Sequence, residues 1–136
     1  MMLIQHPHAF DVLVASNLFG DVLSEIGAAI TGSLGLAPSA NLNPPRTWPS
    51  MFEPVHGSAP DIAGQGVANP LAAILSAAMM FEWLGEGDAT AAVRGAAIET
   101  LREGRVRTPD LGGTARTSDM GAAVLVRLGA GRDTPA

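Results

Sequence analysis

The sequence predicts an α/β chain that is helix-rich, carries one or two strands and is incomplete on its own. Three observations lead there. Residues 10–15, Phe-Asp-Val-Leu-Val-Ala, form a near-continuous apolar, β-branched run that suits a buried parallel strand. Later segments repeat apolar residues at helical spacing between Gly, Asn and Pro punctuation. A parallel strand needs partner strands for its backbone groups, yet only one further short strand, at 51–53, can be read.

In chain order, His6-Pro7-His8 makes a turn. The two histidines have no further metal-ligand type nearby, so they receive no role. After the strand, Ser16 or Asn17 can cap a helix over 20–31 that Gly32 ends. With Asp21 at zero on a helical wheel, Glu25 lies roughly 40° away, beside an apolar stripe of Val22, Ile26, Ala29 and Ile30. Two like charges four residues apart cost a helix a few tenths of a kcal/mol, so a cation between them or a solvated acidic face are equal readings. Residues 33–50 hold four prolines and read as a long irregular connection, with Arg46 and Trp48 as surface packing residues.

Asn69-Pro70 is a helix start, because asparagine accepts at the N-cap and proline loses no hydrogen bond at the first helical position. The helix over 71–84 is apolar almost all round, which fits a central or interface helix. Asp88 is expected to cap the next one. In it Ala89, Ala92, Val93, Ala96, Ala97, Thr100 and Leu101 keep a 3.6-residue period, and Gly104 ends it. A turn-rich link through Thr108-Pro109-Asp110-Leu111-Gly112-Gly113 precedes a last helix capped at Thr117 or Ser118 and running to about 128. Residues 129–136 read as a flexible tail, and 1–136 as a single partial domain.

At 136 residues and 47% hydrophobic content the chain can bury a core. It has no cysteine, which excludes disulfides and thiolate chemistry and agrees with a cytoplasmic location. The net charge is −5 and every basic residue is arginine, none clustered with aromatics, which argues against nucleic acid. The start lacks a basic region and a long apolar run, and no stretch reaches the roughly 20 apolar residues of a membrane span, so a soluble chain is expected.

The chemistry concentrates in residues 52–64, Phe-Glu-Pro-Val-His-Gly-Ser-Ala-Pro-Asp-Ile-Ala-Gly. Prolines and glycines hold the backbone in non-repetitive conformations while Glu53, His56, Ser58 and Asp61 offer polar handles at irregular intervals. That composition reads as a ligand cradle. No dinucleotide fingerprint accompanies it, since Gly64-Gln65-Gly66 lacks a third glycine and a preceding strand.

FEPVHGSAPDIAGQGVANP, with NLFGD upstream and TPDLGG downstream, resembles the C-terminal part of the isocitrate/isopropylmalate dehydrogenase family of decarboxylating 2-hydroxyacid dehydrogenases. The stretch APSANLNPPRTWPSMFEPVHGSAPDIAG is most similar to its tartrate/D-malate dehydrogenase branch. The resemblance runs from about residue 10 to 128. It implies the C-terminal part of an isopropylmalate-dehydrogenase-like fold, with a long N-terminal portion elsewhere.

The resemblance also implies a non-Rossmann NAD site. There His56 and Asn69 lie near the adenine, Asp61 on the ribose and Glu53 toward the nicotinamide, with Gly57, Ser58, Ala59 and Ile62 completing the contact. A carboxylate at Asp61 can accept both ribose hydroxyls and repels a 2′-phosphate, so NAD is expected over NADP. Without the resemblance, Asp61 is as readily a turn or cap residue. Asp21 and Glu25 match the family's acidic ligands for Mg²⁺ or Mn²⁺, hard ions that take oxygen donors. Glu25 stands where the family usually has aspartate, so Asp21 is the safer ligand, and a further acidic ligand is expected upstream.

The family's catalytic lysine and tyrosine have no counterpart, because the chain contains neither residue type. No catalytic residue is therefore assigned, and the chain alone is expected to be inactive. The expected reaction is NAD- and metal-dependent oxidation and decarboxylation of a small 2-hydroxydicarboxylate of the tartrate or D-malate type, by a protein that forms homodimers. An isopropylmalate dehydrogenase fragment, and a non-catalytic NAD-binding or dimerisation module, are the alternatives.

Overall fold

A computed structural model describes residues 1–130 of the chain. Its order is a short α1 (Met2–Gln5), α2 (Asn17–Thr31), β1 (Pro38–Asn41), β2 (Met51–Pro54), α3 (Leu71–Leu84), α4 (Gly87–Glu103) and α5 (Thr117–Ala130), with single 3₁₀ turns at Pro7–Ala9, Leu34–Leu36 and Pro109–Leu111. The helix-rich chain with two strands is the fold class that the sequence predicts.

The core lies in the second half. Leu71 of α3, Ala96 and Ala97 of α4, and Met120 and Val124 of α5 bury together, and Leu36, Ile74, Leu75 and Leu101 pack around them. Small residues on α4 let both α3 and α5 pack closely on it. Helix α3 also carries the sheet, because both strands pack on it. That is why a helix apolar almost all round is needed here: it faces other helices on one side and a sheet on another.

Helix boundaries follow the sequence signals closely. Helix α2 ends at Gly32 (φ 112) and α4 at Gly104 (φ 61), both in the left-handed region that a side chain resists. Ser16 occupies the N-cap position of α2 with extended backbone, but its side chain makes no cap hydrogen bond. The N-cap position of α3 falls on Pro70, one residue later than expected, and the Asn69 side chain before it accepts from the Leu71 amide at 3.0 Å, so the asparagine still satisfies an open amide at the helix start. Asp88 sits inside the first turn of α4, with Glu86 at the N-cap position. There it favours the helix through its charge rather than as a cap. Helix α5 runs to Ala130, and the rest of the predicted tail, 131–136, lies outside the described residues.

Two expectations are corrected. Residues 10–15 form no strand, and Val12 and Val14 are 82% and 96% exposed. Among the described residues the two strands pair only with each other, antiparallel, with Ser39 opposite Glu53 and Ala40 opposite Phe52. The 10–15 backbone therefore has no ladder to join, and its apolar side chains have no second layer to bury them. Conversely, the connection 33–50 contains β1, which Pro38-Ser39-Ala40-Asn41 did not announce, since none of its residues is β-branched.

Candidate functional site: a pinned loop with a free centre

Loop 54–70 is fixed at both ends. Upstream, Glu53 is in β2, and the ladder continues one step as the Val55 amide donates to the Ala37 carbonyl at 3.0 Å. Downstream, the start of α5 holds the chain: the Thr117 amide donates to the Gly66 carbonyl at 2.9 Å, and its hydroxyl to the Ala68 carbonyl at 2.6 Å. The Asn69 amide group then donates to Asp110 Oδ2 at 2.9 Å.

Between those anchors the loop turns on itself. The Ile62 amide donates to the Ala59 carbonyl and the Gln65 amide to the Ile62 carbonyl, at 3.1 and 3.2 Å. Ala59 takes φ 44, a left-handed value that a non-glycine residue adopts at some cost and that recurs at ligand-binding loops. Gly57, Ser58, Ala59 and Asp61 are exposed, whereas His56 and Ile62 are half-buried. His56 Nδ1 lies 3.0 Å from the Gly57 carbonyl, which orients the ring and makes Nδ1 the protonated nitrogen in the neutral form. The side chains of Glu53, Ser58 and Asp61 make no hydrogen bond to other described residues, so they are free to meet a ligand. Six of the eight residues expected at the cofactor thus keep a side-chain or backbone polar group without a partner among the described residues, whereas both backbone groups of Ile62, the seventh, are engaged.

Asn69, the eighth, is used differently. It is 8% exposed, and both ends of its amide are engaged, by the Leu71 amide and by Asp110. Its backbone N–H and carbonyl join no backbone hydrogen bond outside the helices.

The sequence reading missed Asp110. Its Oδ2 accepts from Ser33 Oγ at 2.5 Å and from Asn69, and its Oδ1 accepts from Thr108 Oγ1 at 2.5 Å. Burial pushes this carboxyl up, but the hydrogen bonds from Ser33, Thr108, Asn69 and its own backbone outweigh that and hold it below its ordinary value. Gly35 closes the cluster, because a Cβ there would stand 2.8 Å from Asn69 Cβ and 2.9 Å from Asp110 Oδ2. The TPDLGG spacing marked the segment, but nothing local to it announced partners so distant in sequence.

Asp21 and Glu25 lie on the exposed surface of α2, with no cation paired to either carboxylate among the described residues. No group of three or more His, Asp or Glu side chains able to hold a metal occurs among the described residues. Two carboxylates suit a hard divalent ion that fills its other positions with water and substrate oxygens. Arg46 packs within the chain, as expected of a surface residue: its guanidinium lies 4.6 Å from the Trp83 ring centre and donates to the Trp83 carbonyl. No helix among the described residues is long and apolar enough to cross a membrane.

Residues 1–124 match the family described as isocitrate/isopropylmalate dehydrogenase. The D-malate dehydrogenase [decarboxylating] of Escherichia coli (strain K12) is 54% identical over 125 residues, which cover 89% of this chain and 35% of that protein. The tartrate dehydrogenase/decarboxylase of Pseudomonas putida is 54% identical over 134 residues, 92% of this chain and 36% of that one. The crystal structure of isocitrate dehydrogenase from Methylococcus capsulatus superposes with a TM-score of 0.87 at 45% identity, covering 94% of this chain and 38% of that one. The chain therefore spans about a third of the length of the curated relatives that it matches.

Proposed function

The chain belongs to the isocitrate/isopropylmalate dehydrogenase family, and from that premise we propose that it supplies the NAD loop and part of the metal site of a decarboxylating dehydrogenase. The substrate is a small 2-hydroxydicarboxylate of the tartrate or D-malate type, the substrates named for relatives at 54% identity. One observation supports this reading above the rest. Loop 54–70 is hydrogen-bonded at its ends and braced by its own backbone, while the side chains of Ser58 and Asp61 at its centre are exposed and have no hydrogen-bond partner within the described residues. A segment with that design is pre-organised to receive something.

Each residue then has a task. Asp61 accepts the two ribose hydroxyls of the adenosine and excludes a 2′-phosphate by charge, which makes NAD the cofactor. His56 and Ile62, both half-buried, form the floor under the adenosine, while Gly57, Ser58 and Ala59 offer backbone amides and a hydroxyl to it. Glu53 lies at the upstream end, toward the nicotinamide. Asp21 would hold a Mg²⁺ or Mn²⁺ ion, and the longer Glu25 would reach it directly or through water. When bound, such an ion polarises the substrate hydroxyl and carboxylate and stabilises negative charge left as CO₂ departs.

We assign no proton transfer to these residues, since the chain has no lysine or tyrosine and the family resemblance gives His56 to the cofactor. We therefore assign cofactor and metal binding, not turnover, to this chain alone. The cytoplasm is the compartment that we propose. A second reading, a dimerisation module, is favoured by the exposed apolar side chains of α2, Leu18 at 70% and Phe19 at 64% exposed. In the complete enzyme the same face would pack against a second copy.

Calorimetric titration with NAD and NADP tests the proposal. We expect NAD to bind more tightly, and Asp61→Lys with Ile62→Tyr to reverse the preference. Equal affinities in the unaltered chain would remove the ribose assignment.

A further inference from the structure

Three segments far apart in the chain converge on one carboxylate. Ser33 is 77 residues from Asp110 and Asn69 is 41, yet both donate to the same oxygen, Oδ2. Thr108, fully buried, donates to the other. These donors belong to the turn that closes α2, to the end of loop 54–70 and to the approach to α5. The Asn69 amide is fixed from both ends, because its oxygen faces the Leu71 amide and its nitrogen must then face the carboxylate. At Gly35 there is no room for a side chain, so the turn after α2 lies directly on Asn69 and Asp110. A cap alone would need only Asn69 and Leu71. The additional convergence ties the loop's downstream end to the chain leaving α2.

We propose that Asp110 is a positioning residue, whose carboxylate clamps the downstream end of loop 54–70, through Asn69, to the Ser33–Gly35 turn that follows α2. The loop that presents Asp61 and the helix that presents Asp21 and Glu25 are thereby held in one register. The clamp touches no ligand and acts only through Asn69 and Ser33. This inference rests on the reading of the loop as a cofactor site.

Asp110→Asn tests it in the 136-residue chain, because it preserves size while leaving one acceptor oxygen and no charge for three donors. Amide hydrogen exchange, followed by mass spectrometry, is expected to quicken about tenfold at the hydrogen-bonded loop amides of Ile62 and Gln65, and by less in the interiors of α3, α4 and α5. AMP, the adenosine half of the cofactor, is expected to bind about tenfold more weakly. Ser33→Ala removes a single donor and should move both readouts in the same direction by less, which keeps the test open if Asp110→Asn does not fold. Unchanged loop exchange in both variants overturns the proposal. Exchange that quickens equally in loop and core overturns it too, since Asp110 would then only stabilise the chain. Selective loosening of the loop in a chain whose unaltered form binds neither AMP nor NAD supports the clamp and overturns the cofactor reading instead.

Discussion

Asp61 and Asp110 are the same residue type in opposite settings. Asp61 is exposed and its side chain makes no hydrogen bond to the described residues, whereas Asp110 accepts from three side chains. Asp61→Asn should therefore weaken NAD by about tenfold with no change in melting temperature, because only ligand bonds are lost. Asp110→Asn should instead change stability, in a way that depends on pH. The folded-state carboxyl titrates below its ordinary value of 3.8. Its contribution is thus fully present above that value and is lost as pH falls through the folded-state pKa. Urea unfolding at a series of acid pH values should show a steeper loss for the unaltered chain than for Asp110→Asn, and parallel curves would contradict this. At the metal face, Asp21→Asn should abolish Mn²⁺ binding read by electron paramagnetic resonance, and Glu25→Gln should weaken it less. Binding that survives Asp21→Asn moves the metal elsewhere.

At the scale of elements, the sequence was most legible where local chemistry decides. Gly32 and Gly104 end helices because only glycine enters the left-handed region without a Cβ penalty, and Asn69 meets the Leu71 amide because its side chain sits beside the open start of α3. Legibility failed where a partner decides. The 10–15 run has the composition of a buried strand, but an apolar pattern cannot supply the neighbour that its backbone requires. Residues 38–41 have no strand composition and become β1 because 51–54 lies alongside on the surface of α3. Asp110 escaped notice for the same reason, its partners being 41 and 77 residues away. The tightness of that junction gives a prediction for the turn at Leu34–Leu36. Gly35→Ala forces a methyl group into Asn69 and Asp110 and should cost about 1–3 kcal/mol in urea unfolding. A smaller effect would mean that the turn can retreat from the clamp.

Across the whole molecule, burial is uneven. The core belongs to α3, α4 and α5, while 14 of the 18 exposed large apolar side chains among the described residues lie in 1–51. An apolar surface of that kind on a folded chain is a place for further protein to pack. Sedimentation of the chain should show self-association that Phe19→Asp reduces, and a strictly monomeric chain would count against the α2 face as a dimer contact. The same unevenness explains how family, loop and general reaction class were legible in a sequence that covers about a third of its relatives. The motif-bearing loop is anchored at both ends within the chain.

The most direct test of the account is an amide chemical-shift titration of the chain with NAD. We expect shifts concentrated at His56 to Asp61 and at the backbone of Asn69, saturating at lower concentration than with NADP. Shifts spread over the apolar face of α2, or none in the loop at saturating NAD, would contradict the assignment of loop 54–70 as the cofactor site.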